Sequence, residues 1–109
     1  MKYNIIVADS FKKEFKHLYK KHRSLKTDVE ELITSLEENP LQGTSLGRNC
    51  YKIRMSVSSK GKGKSGGARV ITCVKIVSTL VVLLSIYDKS EKEDISDKEL
   101  ELILMGISN

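Results

Sequence analysis

The chain has 109 residues, 39% apolar and 6% aromatic with no Trp, and carries 19 Lys and Arg against 14 Asp and Glu, for a formal net charge of +5. That length is near the commonest size of one domain, so residues 1–109 read as a single domain with a modest aliphatic core. The longest apolar run, Leu80 to Leu84, falls far short of the ~20 residues that span a bilayer, and the opening apolar run is too short for a signal peptide, so the sequence reads as cytoplasmic.

Tyr3-Asn4-Ile5-Ile6-Val7 predicts a first strand, with Tyr3, Ile5 and Val7 on one side. Ser10 stands where an N-cap is expected. Phe11, Phe15, Leu18 and Tyr19 then recur at helical spacing, which predicts an amphipathic helix to about Lys21. Lys12, Lys13, Lys16 and Lys20 fall largely on its other face. Ser24 is placed to cap a second helix striped by Leu25, Val29, Leu32, Ile33 and Leu36, and Asn39-Pro40 ends it because a residue before proline avoids the helical region. The short join His22-Arg23-Ser24 makes the two helices an antiparallel hairpin.

Leu41 to Asn49, with Gly43 and Gly47, reads as a loop. Tyr51, Ile53, Met55 and Val57 alternate with Lys52, Arg54 and Ser56, the pattern of a half-buried strand with one polar face. Ala68 to Lys75 is β-rich, Ser78-Thr79 marks a turn, and Leu80 to Tyr87 is almost wholly apolar, as a central strand is. An antiparallel meander is the economical pairing for these three runs, leaving the central strand free to receive the N-terminal one. Ser96-Asp97-Lys98-Glu99 is a capping box opening a last helix with Leu100, Ile103, Leu104 and Ile107. The order is βααβββα: an α+β fold whose sheet of about four strands is covered on one face by the helical hairpin.

The excess positive charge is concentrated. Arg48, Lys52, Arg54, Lys60, Lys62, Lys64, Arg69 and Lys75 lie in one segment that contains no acid, while the remainder is slightly acidic. Such a segment suits a polyanion, and Lys60 to Gly67 reads as a flexible basic loop for approach to a phosphodiester backbone. Period 2 puts Lys52 and Arg54 on one strand face, and a meander lets Arg54, Arg69 and Tyr87 converge, with Lys89 and Lys92 following. Basic groups plus a phenol suit RNA cleavage by the RNA's own 2′-hydroxyl, which needs a proton acceptor, a proton donor and cations, and no metal or other cofactor. A Lys or Tyr among so many cations is expected to have a lowered pKa.

Two other readings are set aside. Gly63-Lys64-Ser65 has the ending of a phosphate-binding loop, but its first glycine would fall at Ser58 and a strand follows where a helix is required. Cys50 and Cys73 read as buried, reduced thiols, and His17 and His22 share no face with them for a metal.

The order of elements, together with Tyr51-Lys52-Ile53-Arg54, Gly66-Gly67-Ala68-Arg69-Val70-Ile71 and Ile86-Tyr87-Asp88-Lys89-Ser90-Glu91, resembles the RelE/ParE superfamily of bacterial type II toxins. The Lys-Gly loop and the run Tyr87 to Ile95 are most similar to its HigB-type RelE branch. The resemblance spans essentially the whole chain. It implies a ribosome-dependent mRNA endonuclease that enters the ribosomal A site and leaves a 2′,3′-cyclic phosphate or its opened form. The partners implied are a cognate antitoxin, ribosomal RNA and mRNA, with the toxin monomeric when free and hetero-oligomeric with antitoxin. By position, Arg54, Arg69, Tyr87 and Lys89 are the implied catalytic set. Arg69 matches the arginine that contacts the scissile phosphate, and Lys52 pairs with Arg54 on the second strand. Arg48, Lys52, Lys60, Lys62, Lys64 and Lys92 are assigned to RNA and ribosome binding. Several RelE toxins use a tyrosine in the C-terminal segment; Ile95 to Asn109 contains none, and Tyr87 is the nearest substitute. The alternatives are a ParE-like DNA gyrase poison and a non-catalytic RNA-binding module.

Overall fold

The computed structural model describes residues 2–107. Five strands, β1 (Asn4–Val7), β2 (Thr44–Gly47), β3 (Cys50–Met55), β4 (Ala68–Lys75) and β5 (Leu80–Asp88), form one sheet in the order β1-β5-β4-β3-β2. Helices α1 (Asp9–Lys21) and α2 (Leu25–Glu38) follow β1, and α3 (Asp97–Ile107) follows β5. Strands β3, β4 and β5 are the expected antiparallel meander, and β1 joins the free side of β5 in parallel.

Alternation along the strands divides the core between the two sheet faces. Ile53, Met55, Val70, Val74, Leu83 and Ile86 pack under Phe11, Leu18, Val29, Leu32 and Leu36 of the helical hairpin. Cys50, Ile71, Cys73, Val82, Leu84 and Tyr87 turn the other way and meet Leu100, with Ile103 and Leu104 alongside. The hairpin therefore covers one face and α3 part of the opposite one. The side chain of Ile107, assigned to the helix stripe from sequence, lies outside the described residues. Among the described residues no helix is long and apolar enough to cross a membrane.

The loop expected between Leu41 and Asn49 contains β2, so the sheet has five strands rather than four. Thr44-Ser45-Leu46-Gly47 has no alternating apolar pattern of its own. The turn behind it makes it a strand: Arg48 and Asn49 both have positive φ, 54° and 61°, the backbone of a two-residue hairpin turn matching strand twist. Thr44 then pairs with Lys52 and Ser45 with Tyr51.

Neither serine expected to cap a helix does so. α1 begins at Asp9 behind an extended Ala8. Because β1 is only four residues long and ends opposite Leu83, the far half of β5 has no strand beside it there, and α1 serves its edge groups instead. The Ser10 hydroxyl donates to the Leu84 carbonyl at 2.5 Å. The Glu14 carboxylate accepts from the Ser85 hydroxyl at 2.8 Å and the Ile86 N–H at 3.4 Å. Burial pushes the Glu14 carboxyl above its ordinary range, against those hydrogen bonds. Ser24 already has helical backbone angles, and its hydroxyl donates to Asp28 at 2.9 Å. The third cap is as expected: the Glu99 N–H donates to the Ser96 hydroxyl at 3.1 Å, and the Ser96 N–H to the Glu99 carboxylate at 3.2 Å.

Gly67 admits the chain to β4. A Cβ there would lie 2.1 Å from the Met55 carbonyl oxygen, backbone that cannot move aside, and the Gly67 carbonyl accepts from the Lys89 N–H at 3.1 Å. Gly67→Ala is expected to destabilise the fold by about 1–3 kcal/mol through this overpacking, read as a lower urea midpoint. An unchanged midpoint would show that the close approach is not needed.

Candidate functional site

The strand register builds the site. Arg54 pairs directly with Arg69, and Arg69 with Tyr87, so the three side chains form one row across β3, β4 and β5 on the face that carries α3. The Val74 N–H donates to the Asn49 carbonyl at 2.8 Å, which makes Cys50 and Cys73 a non-hydrogen-bonded pair. The alternation of the ladder makes Arg54 and Arg69 another, the kind in which side chains lie closest. Like charges directly opposite one another disfavour a sheet, so this pairing is a local cost. Lys52 lies one step along the same face, opposite Ile71.

The two arginines differ in state. Arg54 is exposed and lines an open cleft of about 360 Å³ together with Lys64, Ser56 and Ser58. Arg69 is 4% exposed. Its guanidinium donates to the carbonyls of Lys64 at 2.9 Å, Ala68 at 3.2 Å and Ser65 at 3.3 Å. In this state Arg69 holds the end of the Lys-Gly loop, and any contact with a phosphate requires it to release those carbonyls.

The loop is anchored at its start as well, contrary to the expectation of a wholly flexible segment. Ser58–Lys60 is a short 3-10 turn, with Gly61 following in the left-handed region at φ 67°. The buried Asp28 carboxylate accepts from the Ser58 N–H at 3.0 Å and its hydroxyl at 2.7 Å. The Lys60 ammonium, 8% exposed, reaches Asp88 at 2.6 Å, while His22 Nε2 lies 3.4 Å from the other Asp88 oxygen. The Ser90 N–H and hydroxyl also donate to Asp88, at 2.9 and 2.7 Å. Burial opposes ionisation of Asp88, yet Lys60 and Ser90 outweigh it and hold the carboxyl well below its ordinary range. Lys60 is therefore a buried anchor rather than a free docking lysine.

Tyr87 departs from its expected chemistry. Segment 89–96 folds back across the α3 face, so the ring is 6% exposed with the Lys92 ammonium 5.1 Å from its centre. The hydroxyl makes no direct hydrogen bond among the described residues, but the Asp94 carboxylate acts on it. Burial first, and Asp94 second, push the phenol up to about 12, with Arg69 pulling weakly the other way. The lowered pKa expected from the surrounding cations is thus reversed, because the ring is buried and acids return with the chain. Asp94 reaches Lys52 at 3.2 Å, and Glu99 pairs with Lys92. Asp94 is held below its ordinary range by the Ile95 N–H and Lys52, and Glu99 by Lys92 and the Ser96 N–H.

Four of the ten residues singled out from sequence are thus ion-paired: Lys52, Lys60, Lys92, and Lys89 with Glu93 at 3.7 Å. Arg54, Lys62 and Lys64 have no ion-pair partner among the described residues; Arg54 and Lys64 share their cleft with Asp28, which holds Ser58, and with Glu31. Arg48 sits in the β2–β3 turn beside Lys75 and Ser78, at the other end of the sheet. Sequence reasoning did not find Asp28, Asp88, Asp94 and Glu99; the mixed charges of Asp88 to Asp94 were the available signal. Among the described residues no group of three or more His, Cys, Asp or Glu is arranged for a metal. Cys50 and Cys73 are free and buried, as expected. Burial, and then the neighbouring Cys73, push the Cys50 thiol up to about 12.

Two outcomes are expected. Asp88→Asn leaves the buried Lys60 charge uncompensated and should destabilise the fold by about 3 kcal/mol. Because the folded pKa of Asp88 is depressed, this difference from wild type should be full at pH 6 and shrink as acid protonates the unfolded chain below about pH 4; urea midpoints across that range check it. For Tyr87 the sign is opposite. Its preference for the neutral form favours folding below the ordinary phenol range and is lost as pH rises towards 12. The absorbance titration of wild type minus that of Tyr87→Phe should place this phenol near 12, and a midpoint at 9 or lower would contradict the buried, acid-flanked environment.

The model of the family described as the RelE toxin of the RelE/RelB toxin–antitoxin system matches residues 10–106. Among curated proteins none matches the chain significantly by sequence. Among solved structures, a mutant of E. coli toxin RelE in the free state is 17% identical and superposes with a TM-score of 0.65, covering 98% of this chain and 99% of that one. Isolated E. coli RelE toxin gives 17% identity and a TM-score of 0.61, with 96% and 99% covered. The RelBE2 toxin–antitoxin complex of Mycobacterium tuberculosis gives 20% and 0.60, with 81% and 92% covered. At these identities the structures speak for the fold, which they share along nearly the full length. With nearly the whole chain matched by the family model and the α+β fold in agreement, this protein is a member of the RelE family of toxins.

Proposed function

We propose that the protein is a ribosome-dependent endoribonuclease that cuts mRNA in the ribosomal A site, arrests translation, and is held inactive by a cognate antitoxin protein. The observation that carries this reading is the Arg54–Arg69 pair, two arginines directly opposite in register where strands pair most closely. The loop carbonyls account for Arg69 alone; a phosphate bound beside the pair gives both cations a common partner. Family membership points the same way.

The reaction follows from the available groups. The 2′-hydroxyl of the message gives its proton to solvent water and attacks the adjacent phosphorus, the bond to the 5′-oxygen breaks with that oxygen taking up a proton, and the products are a 2′,3′-cyclic phosphate and a 5′-hydroxyl. Arg54 and Lys64, open to solvent, stabilise charge on the phosphorane-like transition state. Arg69 orients the loop that carries Lys64 and joins the phosphate when its carbonyl contacts release. Tyr87, protonated at neutral pH, is fitted to give a proton to the leaving oxygen rather than to take one. Its use requires segment 89–96 to lift, which frees Lys52 from Asp94 and Lys92 from Glu99 and adds two cations to the face.

Incubation with translating ribosomes, followed by mapping of mRNA ends, tests the reading. Cuts in codon register are expected, and Arg54→Ala should lower the cleavage rate by roughly 10²-fold at an unchanged melting temperature. Loss of DNA supercoiling without mRNA cuts, or ribosome binding without cuts, would overturn it.

A further inference from the structure

The outward face of α1 is a second cationic surface, separate from the Arg54–Arg69 row. From Lys12 to Lys21 every exposed residue is Lys or His: Lys12, Lys13, Lys16, His17, Lys20 and Lys21. They form two rows at successive helical turns, Lys12–Lys16–Lys20 and Lys13–His17–Lys21. Among the described residues only Lys21 of these has an acidic partner, Glu91 at 3.1 Å. Glu14, the acid within this stretch, is turned inward to Ser85 and Ile86. Like charges one turn apart work against a helix, so the rows are opposed by local energetics and are carried by the apolar anchors Phe11 and Leu18.

The surface borders the candidate site. Lys13 and His17 line a cleft of about 410 Å³ together with Tyr87 and Lys92, and Glu14, Asp88 and Glu91 line it too, so a cleft of mixed charge lies between the α1 lysines and the catalytic row. We propose that the α1 lysine rows grip the phosphate backbone of ribosomal RNA beside the bound message. This rests on the ribosome-directed reading above and assigns that reading a second contact surface. An RNA strand fits better than an acidic protein. Lysines one turn apart are separated by about 6 Å along the axis, close to the spacing of adjacent phosphates. The fully exposed positions of the face are all Lys or His, with an apolar cleft of Val7, Phe11, Phe15 and Val29 at its Lys12 edge; lysine is depleted in protein–protein interface cores, whereas phosphate contacts need only fixed positive charge. The grip is therefore independent of sequence and sensitive to salt.

The test is a K12Q/K16Q/K20Q triple variant. Glutamine and lysine have similar helix propensity, so folding is kept, and circular dichroism confirms it. Affinity for ribosomes is measured from 50 to 200 mM potassium chloride beside single-turnover mRNA cleavage at saturating protein. The variant should bind about tenfold to a hundredfold more weakly near 150 mM salt, and its log affinity against log salt should be shallower by about 2. Its saturating cleavage rate should match wild type, and K12R/K16R/K20R should restore affinity. Wild-type affinity and slope in the glutamine variant would overturn the inference while leaving the ribosome-directed reading intact. Unchanged ribosome binding with weakened antitoxin binding would overturn it in favour of a protein partner. A wild-type protein that neither binds ribosomes nor cuts mRNA would overturn the ribosome-directed reading, and this inference with it.

Discussion

The carboxylate of Asp88 is the point on which the rest of the molecule's cationic architecture turns. It ends the central strand, and from there it receives Lys60 from the root of the basic loop, faces His22 at the join of the helical hairpin, and accepts both donors of Ser90 where segment 89–96 begins. Removing two opposite charges from water is expensive, and the interaction is favourable only because almost every lone pair is satisfied. With Asp28 gripping Ser58 from the other side, the loop that looks like a tether in sequence is fixed at its start to one helix, α2, and to the end of β5. Arg69 fixes its other end through three carbonyls. Its middle, around Lys62, lies between these two anchors.

That division explains how one chain carries +5 net charge without the charges acting alike. Cations that build the fold are paired or buried: Lys60 with Asp88, and Arg69 with carbonyls. Those that cover Tyr87 are paired with acids from the segment that also leads into α3: Lys52 with Asp94, and Lys92 with Glu99. Among those left open are Arg54, Lys62 and Lys64, and the α1 lysines other than Lys21, which pairs with Glu91. Surface pairs such as Lys52–Asp94 are weak, typically below about 1 kcal/mol, so the cover over Tyr87 is held far less firmly than the loop root.

Much of this was legible in the sequence, for identifiable reasons. The capping box at Ser96–Glu99 is a local pattern with a local cause, and it formed. The row of Arg54, Arg69 and Tyr87 follows from period-2 alternation and a meander, both enforced by burial of the intervening residues. The RelE resemblance rested on the same segments that the family model matches. What sequence did not reveal depends on partners distant in the chain. β2 lacks an apolar pattern and exists because of a left-handed turn at Arg48 and Asn49. Ser10 and Ser24 have the right residue type at helix starts, but Ser10 is drawn to an open strand edge and Ser24 to Asp28. Lys60 sits in a run of Lys and Gly that reads as solvated, and its partner is 28 positions away. The phenol of Tyr87 was expected to acidify among cations; the segment that folds back over it raises it instead, first by burying the ring and then by bringing Asp94.

The most direct test of the account is a cryo-electron microscopy structure of the protein on a ribosome whose message carries a 2′-O-methyl group at the cut site, so that the attack cannot occur. The account predicts that the Arg54–Arg69 row faces the phosphate next to that group, with segment 89–96 lifted from Tyr87. A complex in which that row faces solvent, or in which Tyr87 stays covered while the phosphate lies elsewhere on the protein, would contradict it.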